Sequence, residues 1–540
     1  VLPIPYEQTI AIARQHLKAG RTSQAEDLCR RILRDEPKRA GALHLLGLAA
    51  SKAARHQQAI ALLQEATTIN SNFAEAFSDL GTALRHASQN EDAIAACRSA
   101  VELRPNVAEF HNNLGIAFAD GGELDAAIAS YLRAIELKPD LANAHYNLAN
   151  AFRNQDRFDE AVEAYQQAIR LRPDFHEAHN NLGDALKASG KVSAAIAAYD
   201  RAIEISPDRP EPHWNRALAL LTQGDFERGW AEYEWRHRRA CAIHRPGILW
   251  NGQSLSGKTI LLHAEQGLGD TIQFVRYLPM VAAKGGRIVL ECQPELCRLL
   301  GGSTNPSAVM SSDQPPPGFD VRCPLMSLPR IFGTRLDSIP CKIPYLKPAP
   351  ALVEKWNKTL GPRTNARRVG LVWAGHPGHQ FDRNRSMTLP DLAPLASIDG
   401  LDFYSLQKGP AAGQALNPPP GMSTIDHTAM LTDLAETAAL IANLDLVISV
   451  DTAVAHLAGA IGKPLWLLLA FSPDWRWMTE RSDSPWYPSM RLFRQPAIRD
   501  WKGVMWEVCR ELSRSKTGSR NEFVAVTKIT KCDHLVRPQG

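Results

Sequence analysis

The chain has 540 residues, 44% of them hydrophobic and 22% charged, with a formal net charge of +4 at pH 7. That length predicts two to four folding units of ordinary soluble composition. A charge this close to balance does not point to nucleic acid as a partner. The longest apolar run, Leu465–Phe471, is far too short to span a bilayer. No charged-then-apolar leader opens the sequence, so residence in the cytoplasm is expected.

The first half is periodic. Ala25, Ala59, Ala93, Ala127, Ala161 and Ala195 recur every 34 residues, and Gly229 ends the series. Pro37, Pro105, Pro139, Pro173 and Pro207 hold a second phase, with Ser71 in the gap. Gly47, Gly81, Gly115 and Gly183 hold a third, with Ala149 and Ala217 filling in. Small residues let two helices approach closely, and each Pro ends a helix because it lacks the amide that would extend the ladder. The pattern resembles the tetratricopeptide repeat, whose period it shares. The resemblance covers residues 1–240 and implies an α-helical superhelix of about seven repeats with degenerate ends.

Asn113, Asn147, Asn181 and Asn215 occupy one phase of this repeat, each two residues before a Gly or Ala. Asp79 and Leu45 stand at the same phase in earlier repeats. An amide offers donors and an acceptor, so the column either clamps an extended peptide backbone or bridges neighbouring helices. The column resembles the asparagine ladder of O-linked N-acetylglucosamine transferases. That resemblance implies a protein or peptide acceptor on the concave face of the repeats. The sequence leaves open whether the repeats also self-associate.

The pattern stops near Arg239, where Trp230, Trp235 and Trp250 are expected to pack the last repeat against the next domain. Strands and helices then alternate. Thr259–His263 and Arg287–Glu291 read as buried strands, and Asp270–Ala283 as a helix. A weakly patterned stretch, helical around Leu352–Leu360, separates these from strands at Val369–Trp373, Phe403–Leu406, Leu446–Val450 and Leu465–Leu469. The expected units are residues 241–345, a connection at 346–366, a second α/β half at 367–512 and a mobile tail at 513–540. Two such halves place a ligand cleft at the carboxyl ends of their strands. The nine cysteines form no CxxC pair, and Cys292 and Cys297 are the closest two. Scattered thiols in a reducing compartment are expected, and no metal site.

Two loops carry candidate chemistry. In Ala264-Glu265-Gln266-Gly267-Leu268-Gly269-Asp270, after a strand and opening a helix, Gly267 and Gly269 let the backbone turn and approach a ligand. Asp270 is either a general base for an acceptor hydroxyl or an ordinary helix cap. In Asp451-Thr452-Ala453-Val454-Ala455-His456 a strand gives way to a small-residue helix whose free amides suit a diphosphate. His456 lies one turn inside, and it reads as a ligand contact or as a structural residue. Arg385 could fork onto phosphate or belong to a solvated charge cluster. Asp474, Trp475, Arg476 and Trp477, after the last clear strand, read as aromatic packing or as a wall for the base or the acceptor.

Together the loops resemble the ADP-heptose lipopolysaccharide heptosyltransferases, over about residues 248–510. The resemblance implies the GT-B glycosyltransferase fold of two Rossmann-like halves. It implies that Asp270, after Gly267 and Gly269, is the catalytic base, and that Asp451, Thr452 and His456 contact donor sugar and diphosphate. Ala453 stands where the family often has Gly. Lys408, in Gln407-Lys408-Gly409, resembles the donor-phosphate lysine of related transferases. The expectation is a metal-independent glycosyltransferase with no cofactor beyond its nucleotide-sugar co-substrate. The alternatives are an interaction scaffold with an inactive transferase domain, and a heptosyltransferase-like enzyme acting on a glycan.

Overall fold

The computed structural model describes residues 6–239, 246–303, 306–378 and 382–514. Most of the tail expected to be mobile therefore lies outside the described residues. Residues 513 and 514 close a helix, Trp501–Arg514, that the sequence reading did not foresee. No described helix is long and apolar enough to cross a membrane. The described residues fall into two compact units, one within Val1–Ser189 and Arg201–Pro207, the other within Gly190–Asp200 and Asp208–Gly540.

The first unit is an array of paired helices, such as Ala108–Asp120 with Leu124–Leu137 and Ala142–Asn154 with Phe158–Leu171. The second helix of these pairs stops at Leu137 and Leu171, two residues before Pro139 and Pro173. Ala25, Ala59, Ala93, Ala127 and Ala161 are completely buried. Gly115 marks a close helix approach, since a Cβ there would fall 2.5 Å from Tyr131. The tetratricopeptide architecture read from the period is thus the one the chain adopts.

The second unit holds two parallel sheets. The first has the order β3-β2-β1-β4, with β1 Thr259–His263, β2 Arg287–Cys292, β3 Ala308–Ser311 and β4 Val321–Pro324. The second has the order β10-β9-β8-β5-β6-β7. Its strands are β5 Arg367–Val372, β6 Leu401–Ser405, β7 Thr424–Asp426, β8 Leu446–Val450, β9 Leu465–Leu469 and β10 Met490–Arg494. This is the α/β pattern of a GT-B-like domain. The helix expected over Asp270–Ala283 is broken into Leu268–Phe274, a 3-10 turn Val275–Tyr277 and Leu278–Ala282. Pro279 has no amide to donate to the Val275 carbonyl four residues back, so the α-helical ladder is interrupted there. In the connecting stretch, helix Pro350–Leu360 docks on helix Leu434–Ala442, where Trp356 Nε1 donates to Glu436 Oε2 at 2.7 Å.

An aromatic joint ties this unit together. Trp230, on helix Phe226–Tyr233, meets Phe274 edge-on at 6.3 Å, Trp475 at 5.2 Å and Trp486 at 6.4 Å. Phe274 belongs to the first α/β half, and Trp475 and Trp486 to the second. Arg276 is buried beneath them, over Tyr345, Trp486 and Tyr487, and donates to the Trp486 carbonyl at 2.9 Å. Edge-to-face rings and stacked guanidinium groups stabilise such a junction beyond the area they bury.

Candidate active site

Asp270 sits in the first turn of helix Leu268–Phe274, at the carboxyl end of β1. Its Oδ2 accepts from the Gly267 amide at 2.9 Å, so it does cap the helix. Its Oδ1 accepts from Arg476, whose Nη1 reaches Asp474 at 2.8 Å and whose Nε bonds Gln273. Arg476 is buried and lies over the Trp475 ring at 4.3 Å. One cation of the second half thus fixes the orientation of the first half's carboxylate.

Asp451 and His456 approach the same place from β8. Asp451 directly follows the strand, and Thr452 is the N-cap of helix Ala453–Ala460. Ser449 Oγ and Thr452 Oγ1 lie 3.1 Å apart. The Asp451 carboxyl is pushed up to about 6, first by burial and then by the charge of Asp474. The Trp477 indole, which donates to its Oδ2 at 2.9 Å, and the guanidinium groups of Arg385 and Arg476 oppose that rise. His456 is held well below its usual value, first by burial and then by Arg476, Arg276 and Arg385. It is therefore neutral at neutral pH. Its Nδ1 is 2.8 Å from Tyr487 Oη and its Nε2 is 4.0 Å from Asp451.

The two helix starts touch. A Cβ on Gly269 would fall 2.7 Å from His456 Cδ2, so Gly269 is small in order to admit the imidazole. A Cβ on Gly267 would meet only Asp270 Oδ2, at an ordinary 3.4 Å. The sequence predicts the same for both glycines, a tight turn and close approach to a ligand. In the structure, Gly269 makes its close approach to a side chain of the facing half.

Arg385 borders this cluster. Its Nε donates to Asp382 at 3.2 Å, and its charge acts on both Asp451 and His456. Lys408 follows β6 on the same edge of the sheet, but it is exposed and its ammonium bonds the Thr428 carbonyl at 3.0 Å. Ala453 opens its helix half-buried. Among the described residues no group of three or more His, Cys, Asp or Glu is placed to hold a metal ion.

Two residues here have roles that the sequence does not predict. Gln407 is buried, accepts from the amides of Trp373 and Ala374 at 3.0 and 2.9 Å, and donates to the carbonyls of Ala374 and Lys408. It thereby fixes the loops after β5 and β6 to each other. Arg476, which the sequence places in an aromatic cluster or a wall of the site, is the ion-pair partner of Asp270. The available signal was a lone cation between two tryptophans just beyond a buried strand.

In the first unit the ladder amides are engaged between repeats. Asn113 donates to Ser78 at 2.9 Å, Asn147 to Asn112 at 2.9 Å, and Asn181 to Tyr146 and Asn150 at 3.0 and 3.1 Å. Asp79 meets His44 in the same way at 2.6 Å. The bridging reading therefore describes what these groups do in the free chain, and all three asparagines remain half-exposed. Asn215 falls in the second unit.

Known proteins resemble the two regions separately. A tetratricopeptide repeat profile matches residues 10–74 and 146–210, and a further TPR repeat profile matches 117–156. The profile of glycosyltransferase family 9 (heptosyltransferase) matches residues 424–494, which include Asp451, Thr452, Ala453, His456 and Arg476 but not Asp270. Protein FlbA of Caulobacter vibrioides is 28% identical over 317 residues, 53% of this chain and 52% of FlbA. The chain thus spans about half the length of that curated relative. Among solved structures, MamA is 27% identical with a TM-score of 0.28, covering 30% of this chain and 95% of its own. TTC0263, a thermophilic TPR protein of Thermus thermophilus, is 23% identical with a TM-score of 0.30, covering 33% and 98%. Scores this low add nothing to the fold described above. The chain thus joins tetratricopeptide repeats to an α/β region, part of which is similar to glycosyltransferase family 9 (heptosyltransferase).

Proposed function

We propose that the protein moves a sugar from a nucleotide-sugar donor to an acceptor hydroxyl on a protein recruited by the repeats, without a metal ion. The observation that carries this reading is the meeting of the Asp270 helix with the Asp451–His456 helix at Gly269. It brings a carboxylate of one half against the expected donor loop of the other. The diphosphate sits at the Thr452–Ala453 helix start, where amide groups and the helix dipole favour negative charge. Arg385, with Lys408 swinging from Thr428, neutralises the leaving group, and such preorganised charge supplies much of the rate. Asp451 and His456 hold the donor sugar. Asp270 takes the acceptor proton, for which its contact with Arg476 must loosen as substrate enters. Asn113, Asn147, Asn181 and Asn215 present amides to the acceptor backbone, exchanging inter-repeat bonds for bonds to peptide.

A thermal-shift screen of the purified chain against UDP-, GDP-, ADP-, CMP- and dTDP-sugars tests the donor site. A ligand that binds only the folded state raises the melting temperature by mass action. A selective shift, lost in Thr452→Ala and Lys408→Ala, is expected. No shift with any donor would sink the reading and leave an interaction scaffold as the better account.

A further inference from the structure

The turn that closes the repeat pattern is wired to the loop that carries Asp270. Helix Phe226–Tyr233 runs into a 3-10 helix, Glu234–Arg238, and Arg236 on that turn is 5% exposed. Its Nη2 donates to Glu265 Oε2 at 2.9 Å and to Ser327 Oγ at 2.7 Å. Its Nη1 donates to Glu234 Oε1 at 2.7 Å and to the Tyr233 carbonyl at 3.2 Å. Ser327 Oγ donates in turn to Glu234 Oε1 at 3.0 Å, which closes the ring. The Glu265 side chain is 7% exposed and stands between β1 and Gly267. The loop that ends in Asp270 is therefore pinned at its start by a residue from outside the α/β fold.

A second contact reaches Asp270 from the other side. Trp230, on the same terminal segment, packs on Phe274 at the end of the Asp270 helix and on Trp475, the neighbour of Arg476. Burial alone would drive Glu265 toward its neutral form, and the guanidinium opposes that. Without Arg236 the buried Glu265 would keep only His237, 3.5 Å from its Oε1, and a buried charge that loses its main partner is strongly destabilised, so the loop would have to move toward water.

We propose that Arg236 is a positioning residue: through Glu265 it sets the path of the Glu265–Gly267 loop and hence the place of the Asp270 carboxylate. This rests on the reading of Asp270 as the base. In consequence the last turn of the repeat pattern is part of the transferase machinery, and a transferase half cut off at the end of the repeats would lack the anchor of its base.

Hydrogen–deuterium exchange on the full chain tests this directly. The variants are Arg236→Gln, Arg236→Lys and, as a control of comparable burial, Trp250→Phe. Arg236→Gln is expected to speed exchange of the amides from Glu265 to Thr271 about tenfold or more while β2 stays protected. Arg236→Lys should restore part of that protection. With the donor selected by thermal shift, Arg236→Gln should lower kcat on the order of 10- to 100-fold with donor KM unchanged. Trp250→Phe should lower the melting temperature and leave kcat alone. Unchanged exchange in a folded Arg236→Gln, or loosening spread over the whole unit as in Trp250→Phe, overturns the proposal. If the wild-type chain turns over no donor, the transferase reading fails, and the exchange data still decide the role of Arg236.

Discussion

In the repeat array, side-chain bridges such as Ser78–Asn113, Asn112–Asn147 and Tyr146–Asn181 join residues 35 apart, again and again. In the α/β unit the corresponding bonds join residues 206 apart, Asp270 to Arg476, and 210 apart, Arg276 to Trp486. The array repeats one local solution, so a single change perturbs one interface among many. The α/β unit concentrates its halves on a few unrepeated contacts around Trp230, Arg276 and Arg476. The first kind of region tolerates substitution and suits binding. The second holds groups in fixed register, as chemistry requires.

The comparison can be broken most easily at Trp230. Trp230→Ala should cost about 3–5 kcal/mol in the second unit, read as an earlier denaturant transition by probes there. A similar loss read by probes in the first unit alone would contradict the joint. Next comes Gly269→Ala, which forces a methyl against His456 and should cost roughly 1–3 kcal/mol. Gly267→Ala, lacking that clash, should be nearly neutral. Equal effects of the two would show that the Gly269–His456 contact does not exist in solution.

The pH dependence of stability sharpens the same point. The Asp451 carboxyl titrates near 6 in the folded chain, above its unfolded value of roughly 3.9. The folded state therefore binds this proton more tightly, and acidification from about 6 to 4 favours folding through this group. His456 runs the other way. Its folded value lies well below 6.5, so stability falls as pH drops below that point. Asp451→Asn should make stability fall more steeply on acidification and His456→Gln less steeply, each by at most about 1.4 kcal/mol per pH unit. Denaturant midpoints across this range decide it, and parallel shifts of both variants would refute the assignment. The smallest effect belongs to the ladder. Asn147→Ala should cost about 0.5–1.5 kcal/mol, the value of one hydrogen bond, in the first unit only.

How far the sequence spoke follows the same division. The 34-residue phase announced the helical array, because each repeat must satisfy the same packing demand. Strands β1, β8 and β9 are plain as buried apolar runs, and all three match residue for residue. Strands β3, β4 and β7 were missed because they are three or four residues long and all three edge their sheets. Strand β10, with Arg491 and Arg494 flanking its apolar core, lacks the continuous hydrophobic signature of its neighbours. The Asp270 and Asp451–His456 loops could be found because a turn between strand and helix demands particular residues locally. Their pairing through Arg476 could not, since no local rule links positions so far apart. The asparagine column shows the reverse limit. Its period was obvious, but period alone did not decide between a clamp and a bridge.

The central claim is that Asp270 acts on an acceptor while the second half holds the donor. The most direct test compares wild-type chain and Asp270→Asn, with the donor picked out by thermal shift, for donor affinity by calorimetry and for sugar transfer to acceptor protein. Removing a general base typically costs on the order of 10²–10⁴-fold in rate. A loss of that size with donor affinity intact is the predicted result. Transfer that survives in Asp270→Asn would contradict the account.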